Sequence, residues 1–131
     1  MLIYPAIFTK ESDGGYWVRF PDLEGCMTEG ENINEAAKMA EEALGGYLAS
    51  LLERDLVVPK ASEPTSIKVD ATLGEFLAVI FSDVDKYFAS KKAVRKNVTI
   101  PGWLAEKADG HCINYSAVLQ DALKEKLGVA G

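Results

Sequence analysis

Apolar and polar residues alternate along the first 30 positions of the chain, and this pattern predicts three short strands. The first runs over Leu2–Thr9 and the second over Tyr16–Phe20. Between them lies a turn, residues 10–15, whose Asp13-Gly14 step is typical of a β-hairpin. A third strand is predicted at Cys26–Glu29, so the chain begins with a small β-rich segment.

The period then changes to that of a helix. Asn32 is a favourable N-cap, and Glu35 three residues later completes a capping box. The Gly45-Gly46 pair in the helix interior costs about 1 kcal/mol per glycine relative to alanine, and close packing on a sheet would explain it. Arg54-Asp55 and Pro59 mark the exit. The apolar residues that share one face are Ile33, Ala36, Ala37, Ala40, Ala43, Leu44, Tyr47, Leu48, Leu51 and Leu52.

A polar, proline-bounded loop at residues 59–66 separates the helix from an apolar run at residues 74–81. Phe76–Phe81 show no alternation, which predicts a strand covered on both faces. We therefore expect residues 1–89 to form a β-β-β-α-β domain of the α+β class, in which one long helix packs on a small sheet. Asp83–Ala89 is predicted to be a short helix or linker, and the domain boundary falls near residue 90.

The second domain, residues 90–131, begins with an alternating segment at Val94–Ile100 that predicts another strand. One face carries Lys96 and three apolar residues. The other face carries side chains that can hydrogen-bond to base edges or phosphates, namely Arg95, Asn97 and Thr99. The pattern indicates a strand whose polar face is read by a ligand.

Two short helices are predicted after this strand. Pro101 suits the first turn of one helix, and Gly110 ends it. Asn114 or Ser116 caps the next helix, which carries one apolar stripe and stops at Gly128. A unit this small needs a metal, disulfides or a second copy to complete a core. No metal set is apparent in it, so we expect a homodimer in which two copies of the strand pair antiparallel.

Charge is divided unevenly along the chain. The net charge is −6, but residues 1–90 carry 7 Lys/Arg against 16 Asp/Glu, whereas residues 91–131 carry 7 against 4. This division is typical of an acidic body with a nucleic-acid-binding arm, and an acidic body also suits a basic protein partner. An acidic surface that merely keeps the protein soluble is equally compatible with the charge alone.

Several features bear on location. No apolar run approaches the length of a membrane span, and no secretory signal is visible at the start of the sequence. The two cysteines, Cys26 and Cys112, are far apart and argue against a disulfide framework. We therefore expect a cytoplasmic protein in a reducing compartment.

The strand-helix-helix order and the run Arg95–Pro101 resemble the ribbon-helix-helix family of DNA-binding repressors. The resemblance implies a two-stranded ribbon in the major groove of operator DNA, with Arg95, Asn97 and Thr99 facing the bases. It also implies a phosphate contact at the start of the second helix, near Asn114, Tyr115 and Ser116. Lys91, Lys92 and Lys96 would add attraction that is independent of sequence.

Residues 3–90 resemble the HicB family of antitoxins. The resemblance rests on Tyr4-Pro5-Ala6, on Asn34-Glu35-Ala36 at the helix start, and above all on Phe20-Pro21-Asp22-Leu23-Glu24-Gly25-Cys26. It implies a partial ribonuclease-H-like fold that binds and neutralises a small basic HicA-type toxin, an mRNA-cleaving ribonuclease. The tail would repress the operon that encodes both proteins. Candidate toxin contacts are Tyr16, Trp17, Phe20, Asp22 and Glu24, although aromatic residues at this spacing are more often core.

Two other functions remain open. The first domain could sense a small ligand in a repressor, or it could itself be a metal-dependent nuclease. The candidate carboxylates for a nuclease are Asp13, Asp22, Glu24, Asp83 and Asp85, but none lies in the middle of an apolar strand, where rigid metal ligands are usually placed. Cys26 is expected to be a buried apolar residue rather than a nucleophile. We expect no catalytic residues, no metal and no cofactor.

Overall fold

A computed structural model of the chain describes residues 2–88 and 93–129. These residues divide into two compact units, unit 1 within 2–88 and unit 2 within 93–129. The predicted domain boundary near residue 90 lies outside the described residues. Within the described residues, no helix combines the length and apolarity needed to cross a membrane.

Unit 1 contains a four-stranded antiparallel sheet. Its strands are β1 (Leu2–Lys10), β2 (Tyr16–Arg19), β3 (Met27–Gly30) and β4 (Glu75–Ser82), in the spatial order β3-β2-β1-β4. The β1–β2 hairpin closes where Lys10 pairs with Tyr16. The predicted β-β-β-α-β order of this unit is confirmed.

One long helix, α1 (Ile33–Glu53), covers one face of the sheet. It begins where predicted, because the Asn32 side chain accepts a hydrogen bond of 2.9 Å from the Glu35 backbone N–H. The Glu35 side chain reaches back to the Glu31 N–H at 3.3 Å. The core lies between helix and sheet, and its most deeply buried members are Ala6, Phe8, Val18, Leu23, Ala36, Ala40, Leu44 and Leu48.

Strand β4 differs from its prediction. Its buried residues alternate with exposed ones: Ile80 and Ser82 are 8% and 1% exposed, whereas Val79 and Phe81 are 39% and 54% exposed. The expectation that both faces are covered was wrong. A single helix layer covers only the face that carries Ile80, so an unbroken apolar run can lie on a sheet with one open face.

The chain after β4 packs against α1 at a glycine, Gly45, where the helix has no side chain. A 3₁₀ turn at Val84–Tyr87 places the Tyr87 ring over Gly45, where a Cβ atom would lie 2.1 Å from the ring carbon Cε2. The Tyr87 hydroxyl donates to Glu41 Oε2 at 2.7 Å. Burial, and then this bond, raise the pKa of Tyr87 to about 12, so the hydroxyl remains a donor at neutral pH. Close packing thus explains why residue 45 is glycine. The packing is local, against Tyr87 and Ser82, and does not extend to Gly46.

Replacing each of the two adjacent glycines, Gly45 and Gly46, by alanine should change the free energy of unfolding in opposite directions. Gly45→Ala must displace the Tyr87 ring, so we expect a loss of about 1–3 kcal/mol in the free energy of unfolding. Gly46 has nothing within 4 Å of its would-be Cβ, so Gly46→Ala should gain up to about 1 kcal/mol from helix propensity. Urea denaturation of the two variants measures both effects, and a shift of the same sign in both would contradict this packing.

Candidate functional site

Unit 2 carries the predicted DNA-reading residues on the segment that precedes its first helix. Residues 93–100 contain neither helix nor strand, and Arg95, Asn97 and Thr99 are all exposed. The predicted strand at Val94–Ile100 is therefore absent from the single chain. The reason is that a strand is completed by hydrogen bonds to a neighbour, and residues 93–129 contain no second strand that could supply them.

Two helices follow, α2 (Gly102–Gly110) and α3 (Tyr115–Lys126). Pro101 is the N-cap of α2, one position before the first turn in which we expected it. The connection is tight: Cys112 adopts a left-handed conformation at φ 55°, and the Ile113 N–H reaches back to the Ala108 carbonyl at 3.1 Å. This connection fixes the start of α3 against the end of α2.

The predicted phosphate-binding residues at the start of α3 have different environments. Asn114 caps the helix, since its side chain accepts from the Ala117 N–H at 3.1 Å. The Tyr115 hydroxyl donates to Asp109 Oδ1 at 2.5 Å and lies 3.1 Å from the Ala105 carbonyl oxygen. The bond to Asp109 raises the pKa of Tyr115. Tyr115 therefore holds α2 and α3 together, and Asn114 satisfies one N–H group in the first turn of α3.

Basic residues of the segment 93–100 lie beside this helix start. Arg95 and Lys96 line one groove together with Ser116 and Gln120 of α3. The structure thus brings together three of the predicted DNA contacts, Arg95, Lys96 and Ser116. Lys92, like Lys91, lies outside the described residues.

Unit 2 buries almost nothing on its own. None of residues 93–128 is buried, although the unit is rich in large apolar side chains. Those with at least 39% exposure are Val94, Val98, Ile100, Trp103, Leu104, Ile113, Tyr115, Val118, Leu123 and Leu127. Apolar surface on this scale is typical of an interface that another chain covers.

Unit 1 places the aromatic candidates on opposite faces of the sheet. Phe20 is only 2% exposed and belongs to the core, so the expectation that it contacts a partner is corrected. Tyr16 is half-buried on the same side, edge-to-face with Phe76 at a centroid distance of 6.0 Å. Trp17 is half-buried on the other face, where it pairs across the sheet with Thr9 and Glu29.

The two acidic candidates of unit 1 lie in the loop after β2. Both Asp22 carboxylate oxygens accept hydrogen bonds from Ser62, at 2.8 Å from its N–H and 2.5 Å from its hydroxyl. Asp22 therefore fixes the loop that follows α1 to the loop that follows β2. Glu24 is exposed, and its backbone carbonyl accepts from the Tyr47 hydroxyl at 2.9 Å. Of the two carboxylates, that of Glu24 is the more accessible.

A third acidic feature was not singled out from the sequence. The register that pairs Tyr16 with Gly30 brings the hairpin turn beside the start of α1. The resulting concave surface is lined by Gly15, Gly30 and five carboxylates: Glu11, Asp13, Glu29, Glu31 and Glu35. The acidic balance of residues 1–90 was visible in the sequence, but its concentration at one end of the sheet depends on strand pairing.

The residues proposed for a nuclease do not converge. Asp13 accepts from the Gly15 N–H at 2.8 Å, and Asp83 caps the 3₁₀ turn through the Asp85 N–H at 3.2 Å. In the part of the chain that the structure describes, no three His, Cys, Asp or Glu side chains are grouped to hold a metal ion. Burial raises the pKa of the Cys26 thiol to about 11, so the nucleophilic thiolate is disfavoured at neutral pH.

Comparison with known sequences identifies a family. The sequence model described as HicB_like antitoxin of bacterial toxin-antitoxin system matches residues 4–120, which include most of both units. An uncharacterised 14.9 kDa protein of Haemophilus phage HP1 is 32% identical over 108 residues, covering 82% of this chain and 80% of that protein. Antitoxin HicB of Escherichia coli K12 is 34% identical over 59 residues, 45% of this chain and 43% of that antitoxin.

Solved structures are similar over nearly the whole chain. The antitoxin HicB of Burkholderia pseudomallei is 27% identical with a TM-score of 0.73, covering 97% of this chain and 99% of that one. A chain of a toxin–antitoxin complex from Streptococcus pneumoniae is 31% identical with a TM-score of 0.62, covering 95% and 98%. The mixed α+β fold with its four-stranded antiparallel sheet and three helices matches these structures.

The Tyr115 hydroxyl offers a direct test of how α3 is positioned. Tyr115→Phe keeps the ring and removes the donor, so we expect a lower free energy of unfolding. Asp109→Ala should cost a similar amount, and the double variant little more than either single change, because both remove one interaction. Urea denaturation of the three variants provides this cycle, and fully additive losses would contradict the contact.

Proposed function

The chain belongs to the HicB-like antitoxin family, and we propose that it neutralises a small basic HicA-type toxin and represses the operon that encodes both. The observation that carries this proposal is the family match over residues 4–120, which includes segments of both units. The division of charge between the units supports two binding partners of opposite sign. We assign toxin binding to unit 1, whose fold we interpret as a partial ribonuclease-H-like domain, and DNA binding to unit 2.

Electrostatics supports the assignment of unit 1. A ribonuclease that holds mRNA needs a basic surface, and an inhibitor that covers this surface is favoured when it is acidic. Residues 1–90 carry 16 acidic against 7 basic side chains. Trp17 and Glu24 are the accessible toxin-contact candidates. Tyr16 is half-buried on the opposite face of the sheet from Trp17, and Asp22 holds the loop that presents Glu24.

The exposed apolar surface of unit 2 supports a homodimer. A second copy would cover the apolar side chains that the single chain leaves open. It would also supply an antiparallel neighbour for residues 94–100, so that the two copies of this segment form a two-stranded ribbon. The ribbon-helix-helix arrangement therefore exists, under this proposal, only in the dimer.

The polar face of that ribbon would read operator DNA. Arg95 suits guanine, Asn97 suits adenine, and the Thr99 methyl group can contact the thymine methyl. Lys92 and Lys96, with the N–H groups at the start of α3 near Asn114 and Ser116, would hold phosphates. Tyr115 contributes by fixing the position of α3 rather than by contacting the DNA backbone, because its hydroxyl is bound to Asp109.

The most informative experiment is co-expression with a small basic coding sequence beside this gene. The neighbour alone should arrest growth, and this chain should restore growth and co-purify with the neighbour's product. A double variant with both Trp17→Ala and Glu24→Lys should restore growth less well than the native chain, since it removes an apolar and an acidic contact from unit 1. Failure of the native chain to bind or rescue would refute toxin neutralisation.

The two activities should separate by mutation. Arg95→Ala should weaken operator binding by about 1–3 kcal/mol while growth rescue survives. Lys96→Ala should instead weaken binding to all DNA sequences alike and reduce the salt dependence by about one unit of slope. Fluorescence anisotropy with operator and scrambled duplexes at several salt concentrations measures both. A simultaneous loss of rescue in Arg95→Ala would contradict the division between the units.

A further inference from the structure

Residues 83–88, which we call the clasp, are the last described residues of unit 1 before the chain continues to unit 2. The 3₁₀ turn at Val84–Tyr87 makes up most of this segment. Its own hydrogen bonds are long, 3.3 Å from the Lys86 N–H to the Asp83 carbonyl and 3.2 Å from the Asp85 N–H to the Asp83 side chain. Contacts with the rest of unit 1 therefore hold the clasp in place.

These contacts converge on Glu41 and Gly45 of α1. The Tyr87 hydroxyl donates to one carboxylate oxygen of Glu41 at 2.7 Å, and the Lys86 ammonium group lies 3.8 Å from the other. The Tyr87 ring fills the space that a side chain at Gly45 would take. Of the six clasp residues, only Val84 is buried. One carboxylate and one missing side chain thus position most of the closed clasp.

The closed clasp also has two unfavourable features. Ser82, the residue before it, is 1% exposed, and its hydroxyl oxygen has no hydrogen-bond partner among the described residues. A buried hydroxyl group without a partner lowers stability. Burial, and then the carboxylates of Glu41, Glu42 and Asp83, raise the pKa of Tyr87, so three negative charges lie near one another here. Opening relieves both costs, because water reaches Ser82 and Asp83 moves away from α1.

Opening the clasp leaves the rest of unit 1 intact. The ladder between β4 and β1 ends at Ser82, before the clasp begins. The core residues of α1 and the sheet, such as Phe8, Leu44 and Leu48, come from elements that precede the clasp. Segments with few buried apolar contacts open locally, at a lower cost in free energy than global unfolding. The clasp is therefore suited to local opening.

We propose that the clasp opens and closes separately from the rest of unit 1 and thereby sets the length of chain that connects the two units. Six residues in extended form add up to about 20 Å to this connection. The consequence rests on the proposed function: a toxin-bound unit 1 and a DNA-bound unit 2 are tethered closely when the clasp is closed and loosely when it is open. The effective concentration of one unit near the other's partner falls as the tether lengthens.

Limited proteolysis of the full-length chain tests the opening. The Lys86–Tyr87 bond lies inside the 3₁₀ turn, and trypsin cleaves it only when the backbone there can extend. The Arg19–Phe20 bond is the reference, because Arg19 lies in β2 and Phe20 in the core. At low trypsin concentration, the cleavage rate of each bond follows the population of its open form. The Lys86–Tyr87 bond should be cleaved faster, as quantified by mass spectrometry of the fragments.

Urea and the two adjacent glycines separate local from global opening. Urea below the unfolding midpoint should accelerate cleavage after Arg19 steeply and after Lys86 only slightly, because local opening exposes little surface. Gly45→Ala prevents closing and should accelerate cleavage after Lys86 by about tenfold or more. Gly46→Ala is the matched control: it should slow cleavage after Arg19 by up to about fivefold and leave cleavage after Lys86 unchanged.

Two further variants test the clasp should Gly45→Ala fail to fold. Glu41→Ala removes the acceptor of both polar contacts and should accelerate cleavage after Lys86, whereas Glu42→Ala removes the neighbouring acidic side chain and should not. Circular dichroism verifies that each variant is folded. Small-angle X-ray scattering of the full-length chain should show a larger maximum dimension for Gly45→Ala, or for Glu41→Ala, than for the matched control.

The outcomes bear on the clasp alone, because neither the proteolysis nor the scattering experiment requires toxin or DNA. Cleavage after Lys86 that follows cleavage after Arg19 in urea and in Gly46→Ala would mean that the clasp opens only by global unfolding, and it overturns the proposal. Faster cleavage after Lys86 without a larger maximum dimension overturns the assigned role in tether length. A functional clasp in a chain that fails to rescue growth would refute toxin neutralisation and leave the clasp standing.

Discussion

The packing of one helix on one face of the sheet determines the rest of unit 1. Ala36, Ala40, Leu44 and Leu48 of α1 have no exposed surface, and the small alanine side chains let the helix lie close to the strands. The missing side chain of Gly45 leaves room for the ring of Tyr87, which fixes the chain as it leaves β4. Because there is no second helix layer in the described part of unit 1, apolar residues of β4 on the opposite sheet face, such as Phe81, remain on the surface.

Unit 2 differs from unit 1 because its residues 93–128 form no buried core of their own. Its two helices and the segment before them present apolar side chains that the single chain does not bury. Under the proposed function, the folding free energy that a unit of this size cannot obtain internally comes from association with a second copy. Under the proposed function, stability and DNA reading are then linked, because the dimer that covers Val98 and Leu123 also presents Arg95 twice about a two-fold axis.

Features determined by local interactions were predictable from the sequence. The Asn32 cap depends on a residue three positions away, and the helix period identifies α1 without tertiary information. Features determined by distant contacts were not: the open face of β4 reflects which layers exist, and residues 94–100 need a second chain to become a strand. Phe20 is a different case. It shares the alternation of Tyr16 and Val18, so the pattern already placed it on the core side, and Trp17 was the better surface candidate.

The division of charge also affects how the two proposed activities influence each other. An acidic unit attached to a DNA-binding unit is repelled by phosphates, but at physiological salt this repulsion decays over about 8 Å. A basic toxin bound to unit 1 would offset part of its negative charge and add cationic surface of its own. Operator affinity should therefore be higher for the toxin–antitoxin complex than for the antitoxin alone at low salt, and the difference should shrink as salt rises, because both contributions are electrostatic.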